Sequence, residues 1–140
     1  MEKKRMTIDE FRKMQDSQKP RKKQRHREHD LQVSFVRWFN YHHPELRGRL
    51  FAVPNMGHRS KLTGRLFKEE GMVAGVSDLI LLKRNKHFGA LLIETKTDKG
   101  KQSEAQKTWQ ENVCKDNEFK YVICRSLDGF IQEIESFLAD

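Results

Sequence analysis

Cysteine is almost missing from this chain: Cys114 and Cys124 are the only two, and neither forms a CxxC pair or sits in a spaced histidine cluster. That excludes a disulfide scaffold and a structural zinc site, and it fits a reducing compartment. Long apolar runs are missing as well. No stretch approaches the roughly 20 apolar residues of a membrane span, and the N-terminus has no apolar signal-peptide region. A soluble, cytoplasmic protein with no membrane partner is the expectation. There is no internal repeat, and 140 residues leave room for one domain with one core. Hydrophobic residues make up only 36% and the mean hydropathy is −0.87. They gather in short blocks, the pattern of a folded core with a polar tail.

What the chain does have is positive charge. The formal net charge is +8 and the pI is near 9.6, which makes a polyanion the default partner, because neutralising phosphates releases counterions. The excess is uneven, since residues 1–30 hold 11 Lys and Arg against 6 Asp and Glu. The first 25 residues carry almost no apolar periodicity and read as a mobile basic arm, in which Arg21, Lys22, Lys23 and Arg25 would meet nucleic acid. A solvated tail with no role is the bland alternative. Thr7 and Glu10 can form a capping box for one short helix there. Residues 26–140 are the expected folded domain.

From Glu28 the pattern changes. Leu31, Phe35, Trp38 and Phe39 recur at helical spacing until Pro44, predicting a core-facing helix. Arg49 to Pro54 reads as a short strand, and Asn55 to Gly64 as a loop rich in breakers. A short helix through Leu66 and Phe67 is expected to end at Gly71. Asp78 to Leu82 and Ala90 to Glu94 have lengths that suit strands, joined by the polar connection KRNKHFG. Ala105, Trp109 and Val113 repeat every fourth position of a further amphipathic helix. Lys120 to Arg125 is a strand, and Phe130, Ile134 and Phe137 mark a C-terminal helix with Ser126 as its N-cap. The result is an α/β domain with a mixed four-stranded sheet flanked by helices.

The two central runs read as a β-hairpin. With the connection centred near Lys86, Leu81 faces Leu91 and Asp78 faces Glu94. Directly opposed residues of an antiparallel pair lie about 4.5 to 5.5 Å apart on one face, so two carboxylates meet at the end of an otherwise apolar hairpin. Desolvating like charges there costs several kcal/mol unless a cation or a proton intervenes. A hard divalent cation such as Mg²⁺ takes oxygen ligands and resolves the conflict. Lys96 shares the face of Glu94, where it can stabilise charge on a phosphoryl group. Thr95 points away, but its backbone carbonyl can reach the metal. Against this stands the plain alternative: an E-x-K on a strand is commonly a surface ion pair, and Asp78 alone can be a turn residue. The conjunction of both acids and the lysine at one end of two buried-looking strands, in a basic protein, raises the metal site to equal standing with that alternative.

GVSDLILL followed by LLIETKTDKGKQSEAQ resembles the PD-(D/E)XK nuclease motif, and more specifically the virus-type replication-repair nuclease (VRR-NUC) domain in its stand-alone viral or phage form. Further matches are EHDLQ with Glu28 and Gln32, the FAVPNMGHRS segment and the EGMVAGVSD approach, in the right order over about residues 28 to 125. The resemblance implies a PD-(D/E)XK restriction-endonuclease-like fold, with Asp78 and Glu94 binding Mg²⁺ or Mn²⁺ and Lys96 assisting hydrolysis. It also implies Glu28 as a supporting acid at the metal and Gln106 as a motif residue at the site. The activity implied is endonucleolytic hydrolysis of DNA, selective for four-way junctions or other branched DNA, by a homodimer in the cytoplasm (the host cell's for a viral member). Flaps and plain duplex are alternative substrates. One departure is Ser77, which stands where the family usually has the proline before the aspartate; what is lost is backbone rigidity and no ligand.

Other residues are weaker candidates. His58, Arg59 and Lys61 are placed to touch phosphates, although a loop histidine is more often merely exposed. His42 and His43, beside Pro44, read as a helix-end pair before they read as metal ligands. Trp38 and Trp109 fall on apolar stripes and read as core before base-stacking platforms. The FAVPNMGHRS segment and the first helix carry more apolar groups than one side of the sheet needs, which suggests an interface patch. The rival class is a non-catalytic nucleic-acid-binding module. It would gain nothing from acids facing phosphates, and no helix-turn-helix pair is found.

Overall fold

The computed structural model describes residues 8–54 and 60–140, with side chains in the first helix described for Asp9 and from His26 onward. The elements are α1 (Ile8–His42), a 3-10 turn at Pro44–Leu46, β1 (Leu50–Ala52), α2 (Lys61–Glu69), β2 (Leu79–Leu81), β3 (Leu91–Thr95), α3 (Glu104–Cys114), β4 (Lys120–Cys124) and α4 (Leu127–Ala139). The side chains of Arg21, Lys22, Lys23, Arg25, His58 and Arg59, and the cap expected at Thr7, lie outside the described residues.

Asn85 pins the central turn. Its Oδ1 accepts from the backbone N–H groups of His87 at 2.9 Å and Phe88 at 2.7 Å, and its Nδ2 donates to the Phe137 carbonyl at 3.2 Å, tying the turn to α4. From it β2 and β3 run antiparallel with Leu81 opposite Leu91 and Leu79 opposite Ile93, the register the sequence predicts. The sheet order is β1-β2-β3-β4. β1 pairs antiparallel with β2, while β4 pairs parallel with β3 after the α3 crossover.

The two faces of the sheet have different duties. Leu79, Leu81, Leu91, Ile93 and Cys124 turn toward α1 and α4, where Phe35, Phe39, Phe130, Ile134 and Phe137 complete the core. Phe35 stacks on Phe130 with centroids 4.4 Å apart, and burying such rings contributes most of the driving force for closing this face. Burial pushes the Cys124 thiol up to about 12, so it behaves as a small apolar group. The opposite face carries Leu92, Glu94 and Tyr121 beneath α3. Here the strand alternation places a carboxylate where the core would otherwise continue.

Three elements differ from the sequence expectation. α1 begins at Ile8, far upstream of the core-facing stretch at Glu28, and its helical backbone runs through much of the segment read as an arm. α2 begins at Lys61 because the Ser60 hydroxyl caps it, accepting from the Thr63 N–H at 3.2 Å, so the loop before it is shorter than expected. Trp109 is only half-buried, against Tyr121 at 6.3 Å, and no residue of α3 is fully buried. The Ser126 cap on α4 is present, its Oγ accepting from the Gly129 N–H at 3.0 Å. Among the described residues no helix is long and apolar enough to cross a membrane.

Candidate active site

The hairpin delivers Asp78 to the end of β3. Its backbone carbonyl accepts from the Val53 N–H at 2.9 Å, continuing the β1–β2 pairing, and its Oδ2 accepts from the Thr95 N–H at 2.8 Å. The carboxylate is thus tied to the strand that carries Glu94. Ser77, in the usual proline position, is fully buried and its hydroxyl donates to the Leu79 carbonyl at 3.1 Å. A local hydrogen bond therefore restrains the backbone where a pyrrolidine ring otherwise would.

Glu94 is 1% exposed, an unusual place for a carboxylate. Its Oε1 accepts from Gln106 Nε2 at 2.9 Å and its Oε2 from the Tyr121 hydroxyl at 3.1 Å. Lys96 Nζ lies 3.9 Å from Oε1. Burial, and then the facing Asp78 carboxylate, push Glu94 up to about 8, only partly opposed by Lys96 and Tyr121. Burial and the neighbouring acids also push the Tyr121 phenol well above its ordinary value, so it remains a donor to Glu94. Below pH about 8 Glu94 holds a proton beside Asp78 unless a cation takes the proton's place.

That proton has a measurable consequence. Folding raises Glu94 from an ordinary 4.5 to about 8, so the folded state holds an extra proton between these values. The associated stability is full below the unfolded value and is lost as pH rises through the folded one. In EDTA the melting temperature is expected to fall from pH about 5 to pH about 8. Glu94→Gln, neutral throughout, should lack this component. A wild type that tracks the variant across the window would show that Glu94 is ionised in the metal-free fold.

Lys96 is nearly buried, at 9% exposure, and its place is set by the turn that follows β3. Gly100 Nα donates to the Thr97 carbonyl at 3.0 Å, and Arg125 Nη1 donates to the carbonyls of Thr97 at 2.8 Å and Gly100 at 2.7 Å. A Cβ on Gly100 would meet the Lys96 stem at 3.3 Å and Glu28 Oε1 at 3.4 Å. Glu28 therefore reaches the site from α1 beside Lys96. A cavity of about 530 Å³ opens there, with Glu28, Gln32, Arg37, Asp78 and Thr95 in its wall.

Gln106 arrives by helix capping. Ser103 and Gln106 form a capping box: the Ser103 N–H donates to Gln106 Oε1 at 2.8 Å, and Ser103 Oγ accepts from the Gln106 N–H at 3.2 Å. The same side chain that closes the helix end thus turns its Nε2 to Glu94. Gly75 allows this, having φ +84 with the α3 backbone so near that a Cβ would lie 2.2 Å from the Ala105 carbonyl oxygen. Gly75→Ala combines left-handed strain of about 1–2 kcal/mol with overpacking of about 1–3 kcal/mol. We expect a loss of roughly 2–5 kcal/mol in denaturant unfolding. An unchanged midpoint would show that α3 moves aside freely.

Of the sequence candidates, the structure brings together Asp78, Glu94, Thr95, Lys96, Gln106 and Glu28. Lys61 is exposed at the start of α2. His42 Nδ1 lies 2.9 Å from the Trp38 carbonyl and His43 Nδ1 3.2 Å from Glu45, at the helix end. Tyr121 and Gln102 were missed. The strand alternation of KYVIC puts Tyr121 on the face of Glu94 only once the parallel β3–β4 register is known. Among the described residues no group of three or more acidic, histidine or cysteine side chains gathers as a ready-made metal cage. The donor set still fits a hard divalent cation. Asp78 and Glu94 present apposed oxygens, one held as a buried acid, and a main-chain carbonyl at Thr95 would add a third.

Such a sheet, with paired acids and a lysine at the end of its central hairpin, defines the PD-(D/E)XK restriction-endonuclease-like class. The chain belongs to the VRR-NUC domain family, whose pattern it matches over residues 12–128. Membership places it among nucleases, with nucleic acid as the class of substrate, and nucleases of this kind typically use a divalent metal. A solved structure described as a VRR_NUC domain protein superposes with a TM-score of 0.69 at 22% identity, covering 80% of this chain and 88% of that one. That likeness shows the shared fold. No curated protein sequence matches the chain.

Proposed function

We propose that this protein is a Mg²⁺- or Mn²⁺-dependent endonuclease that hydrolyses DNA phosphodiesters. The observation that carries the reading is the apposition of Asp78 and Glu94 across the hairpin with Lys96 at 3.9 Å from Glu94. Asp78 and Glu94 would hold the cation, with the Thr95 carbonyl and, from α1, Glu28 in support. The chemistry that Mg²⁺ or Mn²⁺ supplies when bound is polarisation of the phosphate and generation of a nucleophile from water at neutral pH. Lys96, held by the Arg125-clamped turn, stabilises negative charge on the phosphoryl oxygens. Gln106 fixes one oxygen of Glu94 from the N-terminus of α3. His58, Arg59 and Lys61, with Arg21, Lys22, Lys23 and Arg25, supply phosphate contacts.

The preferred substrate on this reading is a four-way junction or other branched DNA, cut by a homodimer in the cytoplasm. A two-fold assembly supplies two sites for two strands. Among the described residues, exposed apolar groups occur in both places the sequence points to, Tyr41 at 83% on the first helix and Phe51 at 38% in β1. Phe35, Trp38 and Phe39 pack on or beside the core, and Leu62 at 63% and Leu66 at 48% add an exposed apolar pair one turn apart on α2. Such a patch supports association. The test is incubation of labelled four-way junction, flap and linear duplex with Mg²⁺ and with EDTA, alongside light scattering. Mg²⁺-dependent cutting is expected, with paired nicks in a symmetric junction and twice the monomer mass of 16.7 kDa. Equal DNA binding without cleavage in either condition would make the protein a binding module. Monomer mass with and without DNA would remove the paired-cut reading.

The basic segment gives a separate expectation. Deleting residues 1–25 removes 10 Lys and Arg against 4 Asp and Glu. Affinity should fall on every DNA structure alike, and the slope of log affinity against log salt should become shallower. An unchanged slope would place this segment away from the interface.

A further inference from the structure

The two oxygens of Glu94 are held by donors from two different elements, and only one of these, Gln106, belongs to the nuclease reading above. The other is Tyr121 of β4, whose hydroxyl donates to Oε2 at 3.1 Å. The phenol oxygen in turn accepts from Gln102 Nε2 at 3.2 Å, and the same nitrogen donates to Gln110 Oε1 at 2.8 Å. With Gln102 donating to it, the phenol has a single proton to give, and that proton goes to Glu94. Each carboxylate oxygen has two lone pairs. One donor on each fixes the plane of the Glu94 carboxylate and, once the carboxyl proton is displaced, leaves a second lone pair on both oxygens for a ligand.

Packing alone would need only the tyrosine ring, which lies against Trp109 at 6.3 Å. The hydroxyl adds a hydrogen bond to the buried acid opposite Asp78. We propose that Tyr121, oriented by Gln102, is a positioning residue that sets the Glu94 carboxylate in the orientation that meets a divalent cation. The inference rests on the cation site proposed above.

The experiment is calorimetric titration of Mn²⁺, without DNA, into the full-length wild type, Tyr121→Phe and Glu94→Gln, with melting curves in EDTA. Hydrogen-bond partners of metal-binding groups typically contribute about 10–100-fold to metal affinity. Tyr121→Phe keeps the ring and is expected to weaken Mn²⁺ binding by about that factor. The Mg²⁺ concentration for half-maximal cleavage should rise in parallel, with the maximal rate little changed and the EDTA melt near that of wild type. Mn²⁺ binding as tight as wild type in Tyr121→Phe, with none in Glu94→Gln, overturns the positioning role and leaves the cation site standing. Wild type indistinguishable from Glu94→Gln overturns both. If Tyr121→Phe melts far below wild type, Gln102→Leu decides instead. It leaves the phenol in place but removes the donor that directs its proton, and unweakened Mn²⁺ binding there overturns the proposal.

Discussion

Asp78→Asn and Glu94→Gln are expected to reduce cleavage by at least about 10³-fold while the protein stays folded and still binds DNA. The reduction should exceed the roughly 10²–10³-fold cost of one lost transition-state donor, because the cation itself is lost. The amides are the right probes. An alanine at position 78 would strip the Thr95 N–H of its acceptor, an unsatisfied donor costing about 1–3 kcal/mol, and activity could then fall for a structural reason. Glu94→Gln keeps the shape of a group whose neutral form the metal-free fold already favours, with Glu94 pushed up to about 8. Its stability in EDTA should equal or exceed wild type near neutral pH. Full Mg²⁺-dependent cleavage by either variant would remove both acids from the active site.

How far the site was legible follows from what fixes each part. The hairpin is local: one turn centred near Lys86 sets the register, so the meeting of Asp78 and Glu94 follows from counting residues and from the period of two. The Ser126 cap and the Phe130, Ile134 and Phe137 face are equally local. The β4 pairing is not local, since it crosses α3, and no counting rule gives a parallel register across a helix. Tyr121 therefore stayed hidden, although the S-E-A-Q capping box that brings Gln106 to Glu94 was visible in the sequence and went unread. Trp109 misled because helical spacing identifies an apolar stripe without saying how deeply it is covered; α3 lies over one face of the sheet, and among the described residues none of its side chains is fully buried. The upstream half of α1 has almost no apolar periodicity in its sequence, so the helical backbone there leaves no period for the sequence to show. For α2, the Ser60 cap replaces the breaker-rich loop by helix, and its exposed leucines show that amphipathic spacing without a core partner marks a surface.

Lys96→Met should slow turnover by about 10²–10³-fold, or about 2.7–4 kcal/mol of transition-state stabilisation, while leaving cation binding unweakened. The two readouts separate the roles open to this lysine. As the ion-pair partner of Glu94, 3.9 Å away, Lys96 favours the ionised carboxylate and opposes the upward push from burial and Asp78. It also repels any cation bound beside it, and its removal takes that repulsion away. At a pH well above the value of about 8 that Glu94 has with Lys96 in place, Mn²⁺ affinity should therefore hold or rise in the variant. Turnover should still fall at saturating metal, because the charge that forms on phosphoryl oxygens has lost the cation assigned to it. Methionine keeps the stem that lies against Gly100, so the turn clamped by Arg125 stays in place and the melt should change little. A variant that cuts at the wild-type rate would make Lys96 a neutralising partner for a buried acid. One that loses Mn²⁺ binding and recovers full turnover at high metal would place it among the groups that organise the cation, with phosphate charge met by another residue.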